Sequence, residues 1–196
     1  EFLKIVFRGD NDKPHDLSDQ EKVKAQQAYR LLEAWKTPPG LLSAEEIQDR
    51  DDGDIVFSNG RIDEVALVNW ITTARKLAQE CGRQDICDSR IGQVLAYAPK
   101  DDDDTWPCAA IRNVIETIKS DKLERGVSIG VYNKRGVHWR AKGGVQEKLL
   151  AEKFATYATR IQSKYPRTAA MLRAIALGFE HDARREAESD SIEEFE

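Results

Sequence analysis

No run of this sequence approaches the ~20 consecutive apolar residues that a membrane-spanning helix needs. An integral membrane protein of that kind is excluded, and no membrane partner is expected. Cysteine is scarce: Cys81, Cys87 and Cys108 are an odd number at spacings of six and twenty-one. Neither a Cys-x-x-Cys nor a His-x(3–5)-His pair occurs, so no zinc framework can be written. Cys81 and Cys87 stand near enough to bridge, but three scattered thiols in a large chain point to a reducing cytoplasm. His15, His138 and His181 are too far apart in sequence to suggest a shared metal site. There is no glycine-rich phosphate loop, no dinucleotide fingerprint and no H-E-x-x-H motif, so neither a cofactor nor a metal is expected. The start has no basic n-region followed by an apolar h-region, hence no visible signal peptide. It also lacks a methionine, the sole one being Met171. The expectation is an excised fragment, with Glu1-Phe2 readable as a cloning scar.

An excess of one charge is also missing. Lysine and arginine number 30 against 35 acidic residues, net −5, which gives no global pull toward nucleic acid. Charged residues reach 33%, above the roughly 25% of an average domain, and suggest much solvated helix surface. Four Trp and five Tyr argue against disorder. A chain of 196 residues can bury roughly 70% of its unfolded surface and needs no disulfide or metal to fold.

What is present is helical periodicity. Ser18-Asp19-Gln20-Glu21 is a capping box, and Ala25, Ala28, Leu31, Leu32 and Trp35 follow on one face. Thr37-Pro38-Pro39-Gly40 stops that helix. Residues 40–61 are expected to form a long surface loop, with Ile55-Val56-Phe57 before Asn59-Gly60 as one possible hairpin arm and Arg61-Ile62-Asp63 a poor second. Asp63 caps a helix with Leu67, Trp70, Ile71, Ala74, Leu77, Ala78 and Cys81, closed by Gly82 at C′. Asp88 caps a shorter one carrying Ile91, Val94, Leu95 and Ala98. Trp106-Pro107 opens the next, with proline in the first helical position. Leu149, Leu150, Phe154, Tyr157, Ala158 and Ile161 mark a fifth helix. Pro166 opens the last, with Ala169, Leu172, Ile175, Ala176 and Phe179. The spacing therefore predicts helices near 18–36, 63–81, 88–98, 107–119, 146–163 and 166–186.

The fold class is all-α: an irregular bundle of about six amphipathic helices, with room for one short β-hairpin near 127–141. Two readings of that last stretch stand. Val127 to Val131 alternates like a strand, answered by Val137-His138-Trp139. Leu123, Val127 and Val131 also fit a helix in which Gly126 and Gly130 form a small face for close packing, at roughly 1 kcal/mol per glycine. One domain is expected over 1–188, with 99–105 as the place where it could subdivide. The acidic residues 189–196 form a disordered tail, fraying after about Glu188. Trp35, Trp70 and Leu172 are expected in the core, and Trp106 and Trp139 in the core or at a domain interface.

Four patches invite chemistry. Gly126-Val127-Ser128-Ile129-Gly130 matches the G-x-S-x-G nucleophile elbow, which needs a buried strand running in. Asp121-Lys122-Leu123-Glu124-Arg125 runs in here and cannot be a central strand, so a hydrolase using Ser128 is the weakest alternative. Asp101–Asp104 are consecutive and cannot converge on one ion; they suit the approach to a helix N-terminus. Asp49 to Asp54 resembles an EF-hand opening, but glycine falls at position five and Gly60 stands where glutamate is required. The basic segment 119–142 carries Lys119, Lys122, Arg125, Lys134, Arg135, Arg140 and Lys142, interleaved with Tyr132, His138 and Trp139. Arginine among aromatics is the composition that holds phosphates and stacks bases.

Several runs resemble C-terminal segments of very large bacterial proteins: Trp106-Pro107 with Ile111-Arg112 through Ile118, and Ser128 through Val137. Gly143 to Glu147, Pro166 to Ala170 and Ala183 to Glu186 do so too, and Glu1 to Phe7 looks like the tail of a preceding helix. The resemblance implies a multidomain parent and lends no activity. The expected function is a non-catalytic interaction or regulatory module of a larger cytoplasmic bacterial protein, working through a groove or face between helices. Lys134, Arg135, His138, Trp139 and Arg140 are its candidate contact residues. Its partners would be other domains of the parent chain or another protein; the alternative is nucleic-acid binding through 119–142.

Overall fold

The computed structural model describes residues 18–44, 54, 55, 57–135 and 142–193. They form seven α-helices and one two-stranded antiparallel sheet. The all-α expectation holds, with one helix more than foreseen.

Helix α1 (Asp19–Ala34) starts from the expected capping box: the Glu21 N–H donates to the Ser18 hydroxyl at 3.3 Å, and the Ser18 N–H to the Glu21 carboxylate at 2.9 Å. Strand β1 (Leu41–Ala44) pairs with β2 (Gly60–Ile62), Leu41 opposite Ile62 and Ala44 opposite Gly60. The surface-loop expectation for 40–61 is therefore corrected. Ile55 and Phe57 are also buried, Phe57 stacking on Trp106 at 4.3 Å. Burial of these apolar side chains outweighed the turn-forming residues around them. Val56 and the Asp49–Gly53 run lie outside the described residues.

Helix α2 (Glu64–Glu80) is capped by Asp63, which accepts from the Ala66 N–H. It closes as Gly82 predicts: Gly82 sits at φ +66°, while the Arg83 and Gly82 N–H groups return to the Ala78 and Gln79 carbonyls. Helix α3 (Gln84–Leu95) begins before Asp88, so that residue is not its cap. Asp88 lies buried inside the helix and accepts from Arg75 of α2 at 2.8 Å. An acid ahead of an apolar face looks alike in sequence in either role.

Helix α4 (Ala109–Ile118) starts past Pro107, which is not its first residue. Asp101 instead caps it, its carboxylate accepting from the Ala109 N–H at 3.1 Å and pairing with Arg112. The negative charge expected ahead of this helix is thus supplied by one aspartate of the four. Helix α5 (Asp121–Lys134) decides the open question at 127–134 for a helix; residues 136–141 lie outside the described set. A 3₁₀ turn (Lys142–Gly144) leads to α6 (Val145–Ile161) and α7 (Pro166–Glu193). Helix α7 continues past Glu188, where fraying was expected; the last three residues lie outside the described set.

Two helix pairs carry the packing. Helices α6 and α7 join through Phe154 and Phe179, stacked at 5.7 Å, with Leu150, Ile161, Leu172 and Ile175 around them. Helices α3 and α5 meet backbone to backbone. A methyl group on Gly92 would lie 2.0 Å from the Leu123 carbonyl oxygen, one on Gly126 2.1 Å from that of Ser89, and one on Gly130 2.5 Å from the Ala96 Cβ. Only glycine admits that approach.

The core is a continuous cluster in which Trp106 is wholly buried and donates its indole N–H to the Ala98 carbonyl at 2.9 Å. Leu172 is core as expected, and Trp70 is partly buried against it. Trp35 is corrected to exposed, and so are Leu77 and Leu149. Trp139 lies outside the described residues. Helix α1 contains no buried residue at all.

Gly126→Ala is expected to lower the urea midpoint by the equivalent of about 1–3 kcal/mol, the usual cost of overpacking. Ser128→Ala on the same helix should change it little. Equal midpoints for both variants and the parent would show that the α3–α5 seam has room.

Candidate functional site

Of the five residues expected to form a contact surface, two are described, and both turn inward. Arg135, at the end of α5, pairs with Glu147 of α6 at 2.8 Å, their side chains 7% and 1% exposed. Its guanidinium also lies 6.0 Å from the centre of the Phe179 ring. Lys134 places its Nζ 4.3 Å from the centre of the Phe57 ring and 5.4 Å from that of Tyr97. His138, Trp139 and Arg140 lie outside the described residues. Lys122, in the same basic segment, pairs with Asp85 at 3.6 Å.

The Lys134 environment has an electrostatic consequence. Burial, and then the neighbouring Lys153 ammonium, push its amine down from the ordinary 10.5 to about 8. Lys153 holds Asp54 at 3.1 Å and the Ile55 carbonyl at 2.8 Å. Among the described residues no carboxylate pairs with Lys134; its charge is offset by ring faces alone.

Ser128 stands in the middle of α5 and donates to the Glu124 carbonyl at 3.2 Å, four residues back. Its G-x-S-x-G pattern is the glycine seam against α3, not a strand-to-helix turn. The four consecutive aspartates go separate ways: Asp101 to Arg112, Asp102 to Arg61, Asp103 to the Thr105 N–H and Asp104 to Lys100. Among the described residues no group of three or more His, Cys, Asp or Glu is placed to hold a metal. Cys81, Cys87 and Cys108 are free thiols, and burial pushes Cys87 and Cys108 up to about 11, far from a reactive thiolate.

A large concavity lies elsewhere, between α1 and the wall formed by α2, α3 and α5. Its volume is about 1050 Å³, and apolar atoms dominate its lining. Helix α1 supplies Ala28, Leu31, Leu32 and Trp35, the stripe that its periodicity marks as apolar. Facing it are Trp70 and Leu77 from α2, Val94 from α3 and Ile129 from α5, together with Tyr97. Among the described residues, three ring contacts tie α1 and the residues that follow it to the body. Trp35 meets Trp70 edge-on at 5.4 Å, Arg90 lies 5.5 Å from the Tyr29 ring centre, and Lys36 6.0 Å from that of Tyr97. Leu31 and Leu77 nonetheless remain 69% and 57% exposed. Sequence reasoning placed both on buried faces, because periodicity shows which face is apolar without showing what covers it.

No family model, curated protein or solved structure matches the chain. Among the described residues no helix is long and apolar enough to cross a membrane.

A pH test isolates Lys134. Below about pH 8 the amine is charged in both folded and unfolded chains, and the folded state bears the full burial penalty. Between about 8 and 10.5 the unfolded chain keeps a proton that the folded chain has shed, so this group's contribution to stability rises with pH. Lys134→Met should therefore raise stability at pH 7 by ~1 kcal/mol or more, a gain that narrows above pH 8. Paired melting curves from pH 7 to 10 check this; a gain that is constant with pH would place the amine in water.

Proposed function

We propose that this chain is a non-catalytic helical interaction module of a larger cytoplasmic bacterial protein. It binds a helical segment of another protein, or of another domain of its own chain, in the groove beside α1. One observation carries the reading: α1 has a complete apolar stripe of which no residue is fully buried, and that stripe forms one wall of a cavity of about 1050 Å³. Soluble chains rarely leave a contiguous apolar patch uncovered without a binding role. An amphipathic helix laid in such a groove is a common mode of recognition. Support for a cytoplasmic setting comes from the three free thiols. Support for a non-catalytic role comes from Ser128, whose hydroxyl is bonded within its own helix.

Trp35 and Trp70 touch each other and line the groove, and they provide the readout. Titration with amphipathic 16-residue helical peptides should shift tryptophan emission to saturation. The double variant Leu31→Glu/Leu77→Glu should lose the shift while keeping its melting midpoint within a few degrees, because both side chains are exposed. Emission unmoved by peptides of every polar-face charge would refute the groove.

A further inference from the structure

The groove has a sign. The chain as a whole is acidic, net −5. Among the described residues, the charged side chains lining the groove are nevertheless Lys24, Lys36 and Arg90 against Glu33. Of these cations, Lys36 lies 6.0 Å from the centre of the Tyr97 ring, which also lines the groove. An entering anion would gain beside these cations, where apolar walls reduce screening.

We propose that the occupant of the groove is an acidic amphipathic helix, its apolar stripe against Leu31, Trp35, Trp70 and Leu77 and its carboxylates facing Lys24, Lys36 and Arg90. This rests on the interaction-module reading and adds the chemistry of the partner. A basic helix would bring like charge against Lys24, Lys36 and Arg90 and be rejected, which gives the groove selectivity as well as affinity.

Three 16-residue peptides decide it, sharing one leucine–alanine stripe and carrying glutamate, glutamine or lysine on the polar face. Binding to the intact chain is followed by tryptophan emission at low and at high salt. The glutamate peptide should bind about tenfold more tightly than the glutamine peptide, an advantage that shrinks in 0.5 M salt; the lysine peptide should bind least. Lys24→Gln/Lys36→Gln should erase most of that preference and leave the glutamine peptide unaffected. Equal binding of all three overturns the acidic partner and leaves the groove reading standing. Binding of none overturns both. Dodecanoate saturating the groove where no peptide does would make the occupant a small amphipathic anion and overturn the helix. So would sedimentation showing self-association that Leu31→Glu/Leu77→Glu abolishes, which would make it a second copy of the chain.

Discussion

The contact on which the rest of the structure depends is the glycine seam between α3 and α5. Gly92, Gly126 and Gly130 let two helix backbones meet where any side chain would collide with a carbonyl or a Cβ. Each glycine in a helix interior costs about 1 kcal/mol relative to alanine, so the seam is unfavourable locally and has to be offset by what it brings together. It brings Leu123, Val127 and Val131 fully into the core. It also places Ile129 and Asn133 beside Gln93, Val94 and Tyr97 as one continuous wall of the groove. The seam thereby fixes one wall of the cavity.

Buried charge follows a consistent rule elsewhere in the molecule. Arg135 meets Glu147, Arg112 meets Asp101 and Arg75 meets Asp88, each pair joining two different segments. Such pairs add little net stability, because desolvation cancels most of the attraction, but breaking one leaves a costly orphan. Their use here is positional: Arg135 ties the end of α5 to α6, and Asp88 fixes α3 against α2. Helix α7 gains its N-terminal cap in the same way, since Glu116 of α4 accepts from the Arg167 and Thr168 N–H groups. Lys134 departs from the rule, and its depressed pKa is the result.

This division explains what could be read from the residues alone. Helix faces were legible wherever a 3.6-residue stripe ended at a local cap: Ser18, Asp63 and Gly82 all act as their spacing predicts. Long-range partners were not. Asp88 looked like a cap because its true partner, Arg75, is recognised only after α2 and α3 pack. Ile55 and Phe57 looked like loop residues because the aromatic cluster that buries them is assembled from Trp106 and Phe154, distant in sequence. At 127–134 the glycines made strand and helix equally plausible until α3 supplied a surface for them. The candidate segment was chosen for its cations and aromatics, yet Lys134 and Arg135 use those properties to bind their own domain. The groove was half legible: the α1 stripe was visible, its lack of cover was not.

Helix α1 completes the reasoning from fold to function. A helix of this length is marginal in water by itself, and most helical stability in proteins comes from packing an apolar face. Among the described residues that face is held by Trp35 on Trp70, Tyr29 near Arg90 and Lys36 near Tyr97, with the capping box at one end and the β1–β2 pair following the other. Anything that fills the groove adds the missing burial to α1 as well as to α2, so binding and the stability of α1 are thermodynamically linked. Ligand-binding elements are drawn from the least stable parts of a fold for this reason. The tight α3–α5 seam and the α6–α7 core keep the opposite wall fixed while α1 carries that linkage.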